Sequence, residues 1–226
     1  MAALLSAGIT GCASDGGSTL TIRGSATATE AESVSSVSPA AVGGVDPSSL
    51  KVKINEFWVS EDSLCTDPVL VYQATAPTYQ EMVDEPVLGS GPVADGVYPC
   101  IIVVMSDTIR FTPSANIGVC DEGTEYSGGI CHDGDVSVLP DGTEVECTDG
   151  EDTIASYMST AVPEDLEGSN GFLPPDDPDD PTTGTPLDGA FTIEGDTTAV
   201  MFVDASGRIW DNEGTCEMSS ADAGFR

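Results

Sequence analysis

The cysteines are the residues of this chain whose type and spacing most directly indicate chemistry. No two of them show the C-x-x-C spacing of a zinc site, a redox motif or a haem attachment site. Cys12 lies far from the others, and the remaining even set predicts three disulfides, which form in an oxidising compartment. The cysteines are Cys12, Cys65, Cys100, Cys120, Cys131, Cys147 and Cys216.

The pairing of the six distal cysteines is not chosen by the sequence alone, because six cysteines allow many connectivities. Cys131 and Cys147 lie at similar distances on either side of a predicted hairpin turn, Pro140-Asp141-Gly142. A Cys131–Cys147 bridge is therefore the pairing we favour, and it would contribute about 3 kcal/mol in the chain-entropy model. Of the pairings that remain, Cys65–Cys100 with Cys120–Cys216 is the most plausible.

Carboxylates are the second group with evident chemistry, because Asp and Glu together number 39. Three loop clusters stand out, and oxygen ligands of this kind are those that Ca²⁺ prefers. None of the clusters fits the EF-hand pattern, and a solvated acidic turn is the alternative interpretation of each. The clusters are Asp133/Asp135, Asp149/Glu151/Asp152 and Asp176/Asp177/Asp179/Asp180.

The last cluster is where we expect calcium, if the chain binds it. Its four aspartates lie in the stretch PPDDPDDP at 174–181. The prolines keep this loop extended, so that little entropy is lost on ordering, and a metal ion would relieve the repulsion among the carboxylates. Calcium is the one cofactor that the sequence suggests.

Catalysis is not indicated by the residues that usually perform it. His132 is the single histidine, it lies beside Asp133 in a predicted turn, and no G-x-S-x-G motif accompanies it. Carboxylates are so abundant that a pair at glycosidase distance would carry no signal. We therefore expect a protein that is not an enzyme, with a hydrolase as a minor alternative.

Trp58 and Trp210 lie in strand-like runs, where core packing is the first interpretation and carbohydrate stacking the second.

The net charge of −33 excludes whole classes of partner. Six Lys and Arg cannot build the basic face that a phosphate backbone requires, so nucleic acid is not an expected partner. Direct adsorption to anionic lipid head groups is disfavoured for the same reason. A carboxylate-covered surface is instead typical of a protein in saline or extracellular surroundings.

Lys51 and Lys53 lie on one face of a predicted strand, where they can meet carboxylates of a neighbouring strand.

The N-terminus has the pattern of an export signal followed by a modifiable cysteine. An apolar run, Ala2–Ile9, leads into Ile9-Thr10-Gly11-Cys12. This order resembles the lipobox of bacterial lipoproteins. The resemblance implies cleavage before Cys12, lipidation of its thiol, and a membrane anchor made of several fatty chains. We therefore expect a signal peptide over 1–11, and a lipidated N-terminus with a flexible tether over 12–46. Within this segment, Thr19–Ile22 is a short β-type run that could pair with the domain.

The rest of the chain, 47–226, is predicted to be a single all-β domain. Short runs of Val, Ile, Thr and aromatic residues alternate with Gly, Pro and Asp turns, as in LKVKINEFWVS at 50–60. The apolar stretch VYPCIIVVMSDTIRF at 97–111 is the predicted central strand, with pairing that begins after Pro99. Such strands predict a disulfide-stabilised antiparallel β-sandwich. A cysteine-rich hairpin insertion (about 118–150) and an acidic loop (about 163–186) interrupt it.

Three segments carry a second resemblance. The strand LKVKINEFWVS, the segment DGVYPCIIVVMSD and the ending LDGAFTIEGDTTAVMFVD…GRIWDN are similar to a bacterial family of secreted lipoproteins, the DUF4382-type domain. The resemblance implies an immunoglobulin- or transthyretin-like sandwich, and it assigns no catalytic residue.

The function we expect from these patterns is a non-catalytic binding or structural module. It would be lipid-anchored on the bacterial cell envelope, at the outer membrane or cell surface, where a surface protein or a polysaccharide is a candidate partner. A calcium-dependent adhesion or carbohydrate-binding domain is the alternative.

Overall fold

The fold is all-β in a computed structural model that describes residues 17–27, 43–163, 166, 169–219 and 221–226. In this part of the chain the only helical element is a 3-10 turn, Met82–Asp84, and no helix is long and apolar enough to cross a membrane. The strands are β1 (Ser18–Ser25), β2 (Pro47–Val52), β3 (Ile54–Ser60), β4 (Val69–Gln73), β5 (Gln80–Glu81), β6 (Val87–Val93), β7 (Gly96–Tyr98), β8 (Cys100–Ser106), β9 (Thr108–Pro113), β10 (Tyr126–Gly129), β11 (Val136–Val138), β12 (Glu144–Glu146), β13 (Thr153–Ser159), β14 (Thr185–Pro186), β15 (Phe191–Ile193), β16 (Thr197–Asp204), β17 (Ile209–Asn212), β18 (Thr215–Met218) and β19 (Asp222–Phe225).

Three sheets of four or five strands build the sandwich. Sheet 1 has the order β19-β16-β1-β6, sheet 2 the order β14-β13-β8-β3-β4, and sheet 3 the order β10-β9-β2-β5. Sheets 1 and 2 pack face to face, and the ring of Phe57 on β3 meets that of Phe225 on β19 edge-on at 6.2 Å between centroids. The sandwich predicted from the sequence is therefore confirmed, whereas its immunoglobulin or transthyretin likeness stays a prediction.

The predicted central strand is the middle of sheet 2. All of β8 is buried, with Ile101 and Val103 in the main core and Ile102 and Val104 in a second apolar cluster on the other side of the sheet. This strand begins directly after Pro99, because proline has no N–H to donate to a neighbouring strand.

Sheets 2 and 3 are continuous through a bend. The stretch LKVKINEFWVS is divided into β2 and β3 at Lys53, and its neighbour is divided into β8 and β9 at Asp107. The two bends lie next to each other, since the Ser106 N–H donates to the Lys53 carbonyl at 2.9 Å. One long pair of strands thus serves two sheets, and Asp107 is carried into the interior at the turning point.

The expected tether needs a correction at residues 18–25. This segment forms β1, an interior strand of sheet 1 that is antiparallel to β6 and parallel to β16. Leu20 and Ile22 are buried in the main core, which explains why a short apolar run in a linker-like sequence becomes a strand. The predicted signal peptide, Cys12 and residues 28–42 lie outside the described residues.

The strand pairing is also not wholly antiparallel. β1 pairs with β16, and β13 with β14, in the parallel sense. Parallel neighbours need a long connection, and both pairs join segments that are far apart in sequence. Within the predicted insertion, 118–150, β11 and β12 form the expected hairpin, but β10 instead joins the edge of sheet 3. The acidic loop over 163–186 ends in β14.

Three disulfides brace the sandwich, and they are the three pairs favoured by the sequence. Their Cα–Cα distances are 5.4 Å for Cys65–Cys100, 5.0 Å for Cys120–Cys216 and 5.8 Å for Cys131–Cys147. All are within the range of ordinary disulfides. Cys65–Cys100 belongs to the second apolar cluster, whereas the other two belong to the main core.

Candidate functional site

A cleft of about 720 Å³ opens where the three sheets meet, and we call it the apolar cleft. Its volume is in the range of small-molecule binding sites. Seven buried side chains from β8, β9, β13 and β16 form its floor, and methionines among them can adapt to a ligand of irregular shape. The floor residues are Val103, Met105, Ile109, Phe111, Met158, Met201 and Val203.

The walls of the apolar cleft come from segments outside the large sheets. Phe172 lines one wall, and its N–H donates to the Asn170 side-chain oxygen at 2.9 Å. The Asn170 amide donates in turn to the Val136 carbonyl at 3.2 Å, which ties this wall to β11. The β17–β18 hairpin supplies Met218, and β19 supplies Ala223. Met218 and Ala223 thus continue the floor towards the surface, beside polar lining residues such as Ser169 and Ser219.

The mouth of the cleft carries an aromatic ring and carboxylates. Trp210 and Glu217 both line it, and they are directly opposite each other in the β17–β18 hairpin. Glu217 also accepts a hydrogen bond from the Asn212 side-chain amide at 2.7 Å. His132 and Asp135 form another part of the rim, with the Asp135 carboxylate 3.3 Å from the His132 N–H and 3.8 Å from its Nδ1. The mouth is therefore polar and acidic above an apolar interior.

Two disulfides fix the segments that carry this rim. Cys131–Cys147 anchors the loop immediately before His132, and Cys120–Cys216 anchors β18 immediately before Glu217. The Cys120 segment is held further by Tyr126, whose hydroxyl accepts from the Asp121 N–H at 2.9 Å. A rim held by covalent cross-links and strand pairing is preformed, which lowers the entropy lost on binding.

A shallow acidic hollow lies beside the apolar cleft, along the other side of β10. Lys51 meets Glu125 there at 2.5 Å, and Lys53 pairs with Glu151. The hydrogen bond from Lys51, helped by its charge and that of Arg110, holds the pKa of the Glu125 carboxyl below its usual value. Both lysines meet carboxylates, as expected, but Glu125 and Glu151 lie in the loops before β10 and β13 and not on a neighbouring strand. These cations are already engaged.

Asp107 is a buried carboxyl that sequence reasoning did not single out. It is fully buried at the bend between β8 and β9, where Oδ1 accepts from the Asp152 N–H at 2.8 Å and the Thr108 hydroxyl at 3.2 Å. Among the described residues its Oδ2 has no hydrogen-bond partner, and it faces Gly129. Burial raises the pKa of this carboxyl, and the neighbouring Asp152 charge adds to the effect.

The predicted calcium ligands are positioned by bonds within their own loop. Asp176 accepts from the Thr182 N–H at 2.8 Å and from its hydroxyl at 2.6 Å, and these bonds lower the pKa of the Asp176 carboxyl. Asp177 accepts from the N–H groups of Asp179 at 2.8 Å and Asp180 at 3.3 Å. Among the described residues, no group of three or more His, Cys, Asp or Glu side chains is arranged to hold a metal ion. Calcium binding stays a prediction.

The two tryptophans have different environments. Trp58 is half-buried beside the second apolar cluster, and its indole N–H donates to Glu56 at 2.8 Å. Trp210 is 36% exposed, so core packing does not account for it. The alternation of side chains along β17 could have indicated that Trp210 is exposed. Ile209 is buried, so the next residue in the strand must face outward.

Compared with protein-family models, curated proteins and solved structures, the chain matches none of them. The likeness to bacterial lipoproteins therefore stays a prediction, and function has to be argued from the site. The fold and the site define a disulfide-braced β-sandwich with a preformed apolar cleft and an acidic mouth.

Proposed function

We propose that this protein is a non-catalytic binding module that holds a small apolar ligand, or the apolar part of a larger one, in the cleft. One observation carries the proposal: a cleft of about 720 Å³ with a floor of seven buried apolar side chains. Transfer of apolar surface from water into such a site releases about 25 cal/mol per Å². The methionine-rich floor and disulfide-fixed rim favour binding without a large rearrangement.

A non-catalytic role is supported by the environment of the single histidine. The His132 side chain is 82% exposed, and its Nδ1 lies 3.8 Å from the exposed carboxylate of Asp135. Catalytic acids and bases are usually found in desolvated clefts rather than at exposed positions. The polar groups at the rim are therefore better suited to orienting a ligand than to reacting with it.

The location we propose is the bacterial cell envelope, with the chain anchored through a lipidated Cys12. The sandwich begins at Ser18, so the chain between Cys12 and β1 can span at most about 20 Å. The domain would then lie close to the membrane surface, where apolar and amphiphilic compounds concentrate.

Binding of a neutral apolar dye such as Nile red tests the proposed cleft. We expect saturable binding of one dye per chain, with a rise in its fluorescence. Ala223→Phe would fill the cleft and reduce the affinity at least tenfold, because Ala223 lines it. Ala76→Phe is the matched control, since Ala76 is exposed and lies outside the cleft. Equal binding by the two variants, with both folded by circular dichroism, would contradict the proposal.

Fractionation of cells tests the anchor. Cys12→Ala removes the thiol that would carry the diacylglyceryl group, so this variant should leave the membrane fraction and appear as soluble protein. Ser14→Ala, two residues further along, is the control and should remain with the membrane. A Cys12→Ala protein that stays membrane-bound would show that the anchor is something else.

A further inference from the structure

The mouth of the apolar cleft pairs an exposed indole with a carboxylate. Trp210 on β17 and Glu217 on β18 are directly opposite in an antiparallel pair, so their side chains leave the same face of the hairpin. Both line the cleft, and Trp210 is 36% exposed. An aromatic face beside a fixed negative charge is the arrangement that attracts an organic cation, and tryptophan is the best side chain for it.

The other charged residues at the cleft also favour a cationic ligand. Asp135 adds a second carboxylate to the rim, and none of the described residues that line the cleft is Lys or Arg. Both lysines of the chain are engaged outside the cleft, since Lys51 and Lys53 pair with Glu125 and Glu151. Glu217 accepts one hydrogen bond, from an uncharged amide, and has no cation to neutralise it among the ion pairs of the described chain. The net charge of −33 adds a field that draws cations and repels anions.

We infer that the ligand is a small organic cation with an apolar body, of the class of amphiphilic amines and quaternary ammonium compounds. The apolar body occupies the methionine-rich floor, and the cationic head lies between the Trp210 ring and the Glu217 carboxylate. This inference rests on the proposed binding function, and it adds the chemistry of the head group. A strongly hydrated inorganic ion would gain nothing from the apolar floor, which supplies no oxygen ligands.

Three probes with the same decyl chain and different head groups show how much the head group contributes to affinity, apart from the apolar body. They are decyltrimethylammonium, the neutral decyldimethylphosphine oxide and anionic decyl sulfate, each used below its critical micelle concentration. Binding is measured by calorimetry on the full chain carrying Cys12→Ala. We expect the cation to bind at least tenfold more tightly than the neutral probe, and the anion to bind most weakly.

Substitutions at the mouth then assign the preference to particular residues. Glu217→Gln should weaken the cation about fivefold to tenfold and leave the neutral probe unchanged, because the amide keeps the size but loses the charge. Trp210→Leu should weaken the cation several-fold more than the neutral probe. Glu144→Gln removes one charge from an exposed position outside the cleft, and should change neither affinity.

Each result decides between the two levels of the proposal. Equal affinity for the cation and the neutral probe would overturn the cationic ligand and leave the apolar cleft standing. An equal loss of cation affinity in Glu217→Gln and Glu144→Gln would also overturn it, because the effect would then come from net charge alone. If no probe binds, and Nile red does not either, the binding function itself fails.

Discussion

Asp107 shows at the scale of one residue how the bend between β8 and β9 is held. Its Oδ1 ties the bend to Asp152 and Thr108, while Oδ2 is buried and finds no partner in the described part of the chain. A buried ionised carboxylate without full hydrogen bonding is destabilising, and this is why burial raises the pKa of the Asp107 carboxyl. The bonds at Oδ1 explain why a polar residue is kept there, because an apolar replacement would leave the Asp152 N–H unpaired.

We expect Asp107→Asn to change how stability depends on pH. Burial raises the native pKa of Asp107 above the unfolded value of about 3.9, so the unfolded chain releases this proton first as the pH rises. The native state then binds more protons, and the wild type loses stability relative to the variant from about pH 4 up to the raised pKa. Denaturant unfolding of both proteins between pH 3 and pH 8 measures this difference.

Asp141 provides a control with the opposite sign. It is exposed, and its hydrogen bonds from the Thr143 N–H and side chain lower its pKa. Its contribution to stability is therefore present above about pH 4 and is lost as the pH falls through the lowered native pKa. The stability difference between wild type and Asp141→Asn should rise with pH, below about pH 4. A difference for Asp107→Asn that is constant with pH would show that the Asp107 carboxyl is not perturbed.

The disulfides are the elements by which stability and binding can be separated. Cys120–Cys216 joins residues 96 apart, Cys65–Cys100 joins residues 35 apart, and Cys131–Cys147 joins residues 16 apart. The chain-entropy model gives about 4.7 kcal/mol for a loop of about 100 residues and about 3 kcal/mol for one of about 15. Only Cys120–Cys216 and Cys131–Cys147 lie beside the cleft rim.

Replacing each disulfide by a pair of alanines should therefore rank the three variants differently by stability and by affinity for the probe. The free energy of unfolding should fall most for Cys120→Ala/Cys216→Ala. Affinity for the apolar probe should fall when either rim disulfide is removed, and should be kept in Cys65→Ala/Cys100→Ala, whose bridge belongs to the second apolar cluster. Denaturant unfolding and dye titration measure the two quantities. A loss of affinity that simply follows the loss of stability would contradict a specific role for the rim bridges.

The strands could be predicted from sequence because their signals are local. The hairpin of β11 and β12 follows from turn residues between apolar runs, and the start of β8 follows from Pro99. For β1 the sequence showed only a short β-type run at Thr19–Ile22, because its place inside sheet 1 depends on pairing with β16, far away in the chain. Parallel pairing has no local turn signal.

The apolar cleft could not be predicted from the sequence at all. Its floor side chains come from four strands, and each alone has the pattern of an ordinary core residue. A cavity forms where packed sheets leave space between them. The hydrophobic periodicity of a single strand contains no information about such a space. Trp210 was the one visible signal, since a large aromatic residue on the outward side of a strand needs an explanation.

At the scale of the whole molecule, self-repulsion of the carboxylates opposes folding. The chain has 39 acidic residues and 6 Lys and Arg, and its described ion pairs engage few of the carboxylates. Dissolved salt screens such repulsion over about 10 Å at 0.1 M. We therefore expect the melting temperature to rise with NaCl.

Specific calcium binding would stabilise the protein beyond this general screening, because a ligand that binds only the native state stabilises it by mass action. At a ligand concentration of 100 times the dissociation constant, the free energy of unfolding rises by about 2.7 kcal/mol. The calcium hypothesis predicts that CaCl₂ raises the melting temperature more than MgCl₂ or NaCl at equal ionic strength. Asp177→Asn/Asp180→Asn should remove this increment, while Glu144→Gln/Glu146→Gln, at exposed positions on β12, should keep it. An equal response to the three salts would contradict a specific site in the loop of Asp176, Asp177, Asp179 and Asp180. The hydrogen bonds that these aspartates already make within the loop would then account for them, and the charge would be a matter of solubility.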